Sequence, residues 1–209
     1  MKWFPAFLFI FLCFSIQTQA QDFPSEMWHE GKIVLLSEDT IKGKIKYDLQ
    51  NDIIQLEINN ILKTYSARKI LFFDIFDASL NSYRQFYSLP YSAQSNYKIP
   101  ILFEVLYAGR LSLLTREEVV TETVQPYNYS PYYYSPSNSG TRTKLAYKYY
   151  FMDEKGNITL YSMKKRDLLS FFPKKQKEVN QYIKKNHLKH DRMRDLVRLT
   201  AYYNALLGN

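Results

Sequence analysis

The sequence contains one cysteine, Cys13, and it lies in an apolar stretch at the N-terminus. This stretch has the parts of a secretory signal peptide: Lys2 supplies a positive charge, residues 3–16 form the apolar region, and small residues follow. We expect residues 1–20 to be removed, so that the mature chain begins at Gln21. The mature chain then has no thiol, which excludes disulfides, thiolate nucleophiles and cysteine metal ligands.

The leader also bears on where the protein is located. Its apolar region is too short for a comfortable membrane span, and Cys13 is poorly placed for lipidation because Leu12 precedes it and Phe14 continues the apolar run. We predict an exported protein with no transmembrane segment after leader removal, located in the periplasm, at the outer membrane or outside the cell. A secreted chain without disulfides depends on packing for its stability, which favours a bacterial origin.

Motifs for several common chemistries are missing. The sequence has no phosphate-binding loop, no dinucleotide fingerprint and no Gly-x-Ser-x-Gly elbow. It has three histidines: His29 lies shortly after the leader, and His187 and His190 flank a predicted helix break. Together with Asp191, the latter two make only a weak metal-binding pattern, because zinc requires a third or fourth strong ligand. We predict a protein without metal, cofactor or catalytic residues.

Carboxylates leave one enzymatic alternative open. Glycoside hydrolysis uses two carboxyl groups held at a defined separation. Three pairs lie close together in the sequence: Glu117 with Glu118, Asp74 with Asp77, and Asp153 with Glu154. Adjacent acids in strands and turns are usually solvated, so a carboxylate-dependent hydrolase ranks below a non-catalytic role.

Tyrosine and phenylalanine are abundant, with 19 and 14 residues, and the most apolar stretch after the leader is IPILFEVLYAGRLSLLT at 99–115. It predicts two strands joined by a turn, and both faces of the first strand are largely apolar, as in a strand covered on both sides. Glu104 is the exception, and we expect it to pair with an Arg or Lys or to lie at a sheet edge. Ala108-Gly109-Arg110 supplies the turn, in which Gly109 is able to adopt a positive φ.

Segments of alternating polar and apolar residues continue before and after this stretch, for example at 41–47 and 53–58. From residue 164 onward, the apolar spacing becomes that of helices. The predicted fold is α+β: an antiparallel β-sandwich or open barrel of about nine or ten strands, followed by a C-terminal bundle of three short helices. We divide the mature chain into a β domain at 21–163 and a basic helical appendage at 164–209.

The β domain is interrupted by a segment of low complexity at 125–143, rich in Tyr, Ser, Pro and Asn. Long loops inside a domain are usually functional or disordered, and both interpretations stay open. Tyrosine offers a large contact area at low entropic cost, which favours contact with a glycan or a peptide. The candidate contact residues are Tyr127, Tyr129, Tyr132, Tyr133 and Tyr134.

Charge is unevenly distributed along the chain. The net charge is +8, and the positive excess lies in the last quarter of the sequence. Export argues against a nucleic-acid partner, whereas clustered lysines suit an anionic envelope surface. The alternative is that these lysines form the solvated face of docked helices. The candidate contact residues are Lys164, Lys165, Lys174, Lys175, Lys184 and Lys185.

The last predicted helix carries an unusually wide apolar stripe. Met193 and Leu196 follow helical spacing, and Leu199, Tyr202 and Leu206 widen the stripe. We therefore predict that this helix contacts the sheet and, in addition, either another helix or another subunit. The second possibility corresponds to a protein partner or a homo-oligomer.

Two phrases of the sequence stand out: GKIVLLSEDTIKGKIKY at 31–47 and RDLLSFFPKKQKEVNQYIKKN at 166–186. Together with Tyr202-Tyr203-Asn204, they resemble uncharacterised exported proteins of Bacteroidota-type bacteria, in which a β-rich body precedes a Lys-rich helical tail. The resemblance implies a Gram-negative envelope location and assigns no functional residue. Our leading hypothesis is a non-catalytic envelope protein, structural or protein-interacting, followed by a glycan- or peptide-binding module that uses the Tyr-rich segment.

Overall fold

The structure is a computed structural model and describes residues 23–92, 97–124 and 140–208. The strands are β1 His29–Leu35, β2 Thr40–Asp48, β3 Ile53–Ile58, β4 Ile61–Ser66, β5 Ile70–Asp77, β6 Ser82–Tyr91, β7 Ile99–Tyr107, β8 Ser112–Val124, β9 Gly140–Met152 and β10 Ile158–Tyr161. The helices are α1 Lys165–Leu168, α2 Gln176–Lys185 and α3 Met193–Leu207. Short 3-10 turns lie at Pro24–Glu26, Ala67–Lys69 and Leu169–Phe171.

The ten strands of the described chain form one antiparallel sheet in the order β10-β9-β8-β7-β6-β5-β1-β2-β3-β4. The sheet is open, with β10 and β4 at its two edges. It nevertheless curls strongly, because Tyr47 on β2 hydrogen-bonds Glu117 on β8 although four strands lie between them in the sheet order. The predicted α+β fold, an open antiparallel sheet followed by three helices, is confirmed.

Turn residues explain where the first hairpins form. Asn59 and Asn60 join β3 to β4 with φ values of 50° and 63°, and asparagine tolerates this left-handed region better than most residues. In the β2–β3 turn, residues 49–52, the Asp48 carboxylate accepts two backbone N–H groups at 2.9 and 3.1 Å. This local chemistry shapes the turn that contacts β7 and β8 later in the chain.

The inner face of the curled sheet holds the main core. Side chains alternate across each strand, and the inward positions of six strands are fully buried. Representative residues are Ile33, Ile45, Leu56, Phe73, Phe86 and Leu102. The rings of Phe73 and Phe86 stack with centroids 4.5 Å apart. Burying this apolar and aromatic surface is the principal stabilising contribution to the curl.

Strand β7 is packed on both faces. Leu102 belongs to the inner core, whereas Phe103 packs with Tyr150 on the outer face. The prediction of a strand covered on both sides is therefore confirmed in the middle of β7. Glu104 is 8% exposed and pairs with Arg84 at 2.7 Å, so the ion pair expected for this residue is confirmed as well.

The three helices share a core with β8, β9 and β10. Its buried residues come from these strands and from each helix: Leu113, Phe151, Tyr161, Leu168, Phe172, Val179, Leu196 and Leu199. Tyr182 of α2 stacks on Tyr202 of α3 with ring centroids 4.0 Å apart. The wide stripe of α3 thus contacts the sheet and also α2. None of the described helices has both the length and the apolar character needed to cross a membrane.

Gly109 lies in the β7–β8 turn, against α3. Its φ is not positive, since the described glycines with positive φ are Gly156 and Gly208, so this turn does not use the left-handed conformation that glycine permits. A Cβ at this position would lie 2.8 Å from Oδ1 of Asn204. The Asn204 amide accepts the Leu111 N–H at 3.0 Å and donates to the Leu111 carbonyl at 2.8 Å. Glycine is required because this side chain approaches so closely.

We expect Gly109→Ala to lower the free energy of unfolding by about 1–3 kcal/mol, because the added methyl group displaces an amide that makes two backbone hydrogen bonds. Gly140→Ala is the matched control, since a Cβ there meets nothing within 4 Å, and its effect should stay within about 0.5 kcal/mol. Urea unfolding of the mature chain measures both. Equal stability of the two variants would contradict the role assigned to Gly109.

Buried tyrosines predict a loss of stability at high pH. Burial raises the pKa of Tyr149 to about 12 and the pKa of Tyr161 to about 12. Because these values exceed the unfolded pKa of about 10, the stabilisation is fully present below about pH 10 and is lost as the pH rises through 12. In an alkaline titration, we expect part of the phenolate absorbance to appear only when circular dichroism reports unfolding. Ionisation of all tyrosines in one step near the unfolded pKa, with the structure intact, would contradict this.

Candidate functional site

Strands β7 and β8 separate beside the β2–β3 turn. Their pairing ends at Glu104 opposite Thr115. Beyond this point, β8 continues as a hairpin with β9, as far as Val124 opposite Gly140. Within the described ranges, β9 is the only strand that pairs with β8 from Arg116 onward. One edge of this part of β8 therefore has no strand neighbour.

The β2–β3 turn is fastened to both strands where they separate. Oδ1 of Asp52 accepts the Leu102 N–H and a guanidinium N–H of Arg116, each at 2.7 Å. Arg116 also donates to the Leu102 carbonyl at 2.6 Å and to the Leu49 carbonyl. These side chains satisfy the backbone groups of β7 that strand pairing leaves open. They also hold the turn close to β8.

A buried charged cluster lies on the inner face next to this junction. Arg84 forms a bidentate pair with Glu104 at 2.9 and 2.7 Å, and it also donates to Glu117 at 3.0 Å and to Asp77 at 3.3 Å. The Tyr47 hydroxyl accepts from Arg84 at 2.8 Å and donates to Glu117 at 2.5 Å. No buried side-chain nitrogen or oxygen in the described chain lacks a hydrogen-bond partner.

The charges in this cluster do not balance, because three carboxylates surround one guanidinium and none of the four is more than 8% exposed. Burial acts to lower the pKa of Arg84, but the hydrogen bond and charge of Glu104 outweigh it and raise the pKa. Burial acts to raise the pKa of Asp77, but hydrogen bonds from Ser79, Leu80 and Arg84 hold it below its ordinary value. Arg84 therefore stays charged and Asp77 ionised, and the cluster holds more carboxyl groups than cations.

Tyr47 and Glu117 connect the cluster to a pocket. Burial raises the pKa of Tyr47; Arg84 opposes this effect and Glu117 adds to it. The hydroxyl is therefore neutral and donates to the carboxylate. Both residues line a pocket of about 430 Å³, here called the inner pocket, together with Val119 of β8 and Leu145 of β9.

A second pocket lies beside the other face of β8. This outer pocket of about 360 Å³ is lined by Arg116, Glu118, Lys148 and Tyr150, among others. Residues 49 and 50 of the β2–β3 turn line both pockets. The two pockets therefore meet in one cleft, bounded by the turn on one side and by the free edge of β8 on the other.

Charge distinguishes the two pockets. The inner pocket is lined by four carboxylate residues and one lysine: Glu26, Asp48, Glu117, Glu118 and Lys46. In the outer pocket the charges are matched, since Lys148 pairs with Glu118 at 2.7 Å and Arg116 pairs with Asp52 at 2.7 Å. The inner pocket is therefore suited to a cationic group and the outer pocket to a neutral one.

Each of the carboxylates noted in the sequence has a partner, and Glu117 and Asp77 share Arg84. The pairs are Glu117 with Arg84, Glu118 with Lys148, Asp77 with Arg84, Asp74 with Lys32, Asp153 with Asn157 and Glu154 with Arg110. Glu117 and Glu118 point to opposite faces of β8, and Asp74 and Asp77 to opposite faces of β5. The structure does not bring either of these two pairs together on one side of a strand.

The histidines lie in different environments. His29 is buried at 4% exposure, with Nε2 2.7 Å from the Pro24 carbonyl, whereas His187 is exposed. In the part of the chain that the structure describes, no group of three or more His, Cys, Asp or Glu is placed to hold a metal ion.

The lysines predicted to contact an anionic surface lie on the outside of the helical region. Lys164, Lys165, Lys174, Lys184 and Lys185 are exposed, while Lys175 is half-buried and pairs with Glu178 at 3.4 Å. The candidate residues Tyr127, Tyr129, Tyr132, Tyr133 and Tyr134 lie outside the described residues. The β8–β9 hairpin leads from the cleft to both ends of the segment that contains them.

Arg84 and Tyr47 are not among the site residues predicted from the sequence. A signal for Arg84 does exist, because it shares the core-facing side of β6 with Phe86, and an arginine on such a face requires a buried carboxylate. Glu104 is visible in the sequence as that carboxylate. For this chain, comparison with protein-family models, curated proteins and solved structures finds no match.

Proposed function

We propose that the protein is a non-catalytic interaction module of the bacterial cell envelope, which binds a partner in the cleft between the β2–β3 turn and β8. The observation that carries this proposal is the pair of pockets that meet at the unpartnered edge of β8. Export is supported by the leader at 1–20. A location in the periplasm, at the outer membrane or outside the cell agrees with this leader.

The bonding of the acidic residues supports a non-catalytic role. A general acid or base must reach the proton it transfers, whereas Glu104 and Asp77 are directed at Arg84 and do not line either pocket. Glu117 lines the inner pocket but is engaged by both Tyr47 and Arg84. A carboxylate-dependent hydrolase would need a second free carboxylate at a working distance across a substrate. The other carboxylates of this pocket are bonded too: Glu118 pairs with Lys148, Asp48 accepts two N–H groups of the β2–β3 turn, and Glu26 accepts the Phe23 N–H.

Site-specific crosslinking tests the proposal. A photo-reactive amino acid replaces Gln50, which is exposed and lines both pockets, and the full chain is expressed in its native bacterium. Lys155, exposed in the β9–β10 turn, is the matched control position. We expect a discrete adduct from Gln50 only, in an envelope fraction, on a chain that begins at Gln21. Identical adducts at both positions, or a full-length chain in the cytoplasm, would refute it.

The second candidate function is binding of a glycan or peptide by the Tyr-rich segment. It is favoured by the β8–β9 hairpin, whose base lines the cleft and whose far end leads to that segment. Deleting 126–142 tests this candidate, because binding through the tyrosines is lost while the cleft remains. Unchanged binding after the deletion would assign the interaction to the cleft alone.

The exposed lysines of the helical region support a peripheral contact with an anionic surface. Each lysine near such a surface contributes about 1 kcal/mol, and the attraction weakens with salt. The test replaces the five exposed lysines with glutamine and measures co-sedimentation with vesicles that contain anionic lipid. Sedimentation that is independent of both salt and these substitutions would show that the lysines are only solvated.

A further inference from the structure

The cleft specifies the kind of partner that it accepts. We propose that the partner contributes an extended peptide segment, which adds as a strand to the free edge of β8 and places a Lys or Arg side chain in the inner pocket. This inference rests on the proposed function and deepens it. Three features of the described residues lead to it: the open backbone edge, the arrangement of the pockets on the two faces of β8, and the excess negative charge of one pocket.

The first feature is the backbone of β8 beyond Thr115. Its pairing with β9 continues without a register shift to Val124, so the strand keeps its regular form. No backbone hydrogen bond from a turn or loop of the described chain reaches residues 116–123. In an antiparallel strand, every second residue directs its N–H and C=O to the same edge. This part of β8 therefore presents a row of donors and acceptors to the cleft, as in sheets that accept an added strand.

The edge has charged residues along it but no strand breaker. Natural edges are commonly protected by proline, by a bulge or by charged residues, especially lysine. The stretch REEVVTETV at 116–124 contains no proline and no lysine, and its pairing with β9 has no bulge, although Arg116 and three glutamates lie along it. The other edge of the hairpin, on β9, also has no strand neighbour at 140–148 in the described chain, but it carries Lys144 and Lys148, so β8 is the less protected side.

The second feature is the position of the pockets. Among the β8 residues, Val119 lines only the inner pocket and Arg116 only the outer pocket, and side chains at these positions point to opposite faces of the strand. Glu117 and Glu118 lie between them and line both pockets. Directly paired residues of neighbouring strands point to the same face of a sheet. Consecutive side chains of an added strand would therefore enter the inner and outer pockets in turn. A single compact ligand would not need a pocket on each face.

The third feature is charge. The inner pocket is lined by Glu26, Asp48 and Glu117, with Lys46 as its one cation; Glu118 also lines it, but its charge is matched by Lys148. The carboxylates of the buried cluster outnumber Arg84 three to one. A Lys or Arg side chain of the peptide complements this field. In the outer pocket, the ion pairs of Lys148 and Arg116 leave no net charge to match, so the adjacent peptide residue is neutral.

A second copy of this chain is a poorer occupant of the edge. Symmetric antiparallel pairing of two β8 strands about Val120 would place Glu118 of one copy opposite Glu122 of the other. Like charges directly opposite each other destabilise a strand pair. It would also bring no cation to the inner pocket. A peptide segment of a partner protein meets both requirements.

Selection from a phage-displayed library of random peptides of about ten residues, a typical upper strand length, tests the proposal on the mature chain. The counter-selection target is Gln50→Trp, which fills the cleft from an exposed turn position. Lys155→Trp is the matched control. We expect the enriched peptides to contain one Lys or Arg and to bind less tightly as the salt concentration rises. Their affinity for Gln50→Trp should be lower by about tenfold or more, and their affinity for Lys155→Trp should be unchanged.

Changes in the peptide then separate strand addition from side-chain binding without altering the protein. Two forms of a selected peptide carry N-methyl groups on alternate amides. One form is methylated at the odd-numbered amides and the other at the even-numbered amides. Strand addition predicts a loss of about tenfold or more in one form only, because only alternate N–H groups face β8. Replacing the Lys or Arg with norleucine should cause a similar loss.

The proposal is overturned if no peptide is enriched, if the enriched peptides carry no cation, or if both N-methylated forms bind equally well. These outcomes are distinct from failure of the proposed function. A specific crosslink at Gln50 without peptide binding keeps the cleft as an interaction site and refutes strand addition. Absence of both results refutes the function as well as the inference.

Discussion

Arg84→Met should lower the free energy of unfolding at neutral pH by about 3–5 kcal/mol, because it removes the one cation from three buried carboxylates. Arg84 is 6% exposed and makes hydrogen bonds to Glu104, Glu117, Asp77 and Tyr47. Methionine keeps much of the volume but none of the donors, so the carboxylates repel one another in a medium of low dielectric constant. Urea unfolding of the mature protein measures the effect.

The pH dependence identifies the cause. In the wild type, the lowered pKa of Asp77 contributes stability above its unfolded value of about 3.9, and this contribution is lost as the pH falls through the folded value. In the variant, protonation removes charge from an unpaired cluster. We therefore expect the difference in unfolding free energy between wild type and Arg84→Met to shrink as the pH falls from about 6 to about 3.

Lys32→Met is the matched control for this prediction. It breaks an ion pair with Asp74 in the same sheet, but the two side chains are 40% and 23% exposed, so its effect should be below about 1 kcal/mol. Glu104→Gln added to Arg84→Met should recover part of the lost stability, because it removes one unpaired charge. If Arg84→Met and Lys32→Met have the same free energy of unfolding at neutral pH, the stability of the cluster does not depend on its cation.

Local patterns account for much of this fold. The alternation at 41–47 and 53–58 predicts β2 and β3, and Asn59-Asn60 marks the turn that joins β3 to β4. The apolar run at 99–115 predicts a strand covered on both faces, as β7 is in its central part. These features depend on residues that are close together in the sequence, and for that reason the sequence predicts them.

Features that depend on distant contacts could not be predicted in the same way. Glu104 was recognised as a carboxylate that needs a cation, but its partner Arg84 lies 20 residues away in the sequence. The sequence indicates a turn at Gly109, whereas the constraint on this residue is the approach of Asn204 from α3. The cleft has no sequence motif, since it arises where the β2–β3 turn meets β7 and β8.

The same dependence on distant contacts applies to the helices. Their spacing and the basic residues in 164–209 suggest an appendage, yet Phe172 is fully buried among residues of the sheet and of α3. Its ring contacts Phe151 of β9 with centroids 5.7 Å apart and Tyr203 of α3 with centroids 5.1 Å apart. Phe172 thus joins the two parts of the chain, and its removal tests how tightly they are coupled.

Phe172→Ala should destabilise the mature protein by about 3–5 kcal/mol, because it leaves a cavity that neither the sheet nor the helices can readily fill. Leu160→Ala is the control on edge strand β10, since Leu160 is 47% exposed and its loss should change stability by less than about 1 kcal/mol. Far-ultraviolet circular dichroism follows the helices, and the fluorescence of Trp28, which directly precedes β1, follows the sheet.

If the helices and the sheet unfold together, the circular dichroism and the Trp28 fluorescence of Phe172→Ala should change at the same urea concentration. Since the shared core joins α1, α2 and α3 to β8, β9 and β10, both signals should move to lower urea together in Phe172→Ala, with a single midpoint. Helices that unfold at lower urea than the sheet, with the Trp28 transition at its wild-type midpoint, would instead make residues 164–209 an independently unfolding unit. In that case the contacts of Phe172 would stabilise the helices alone.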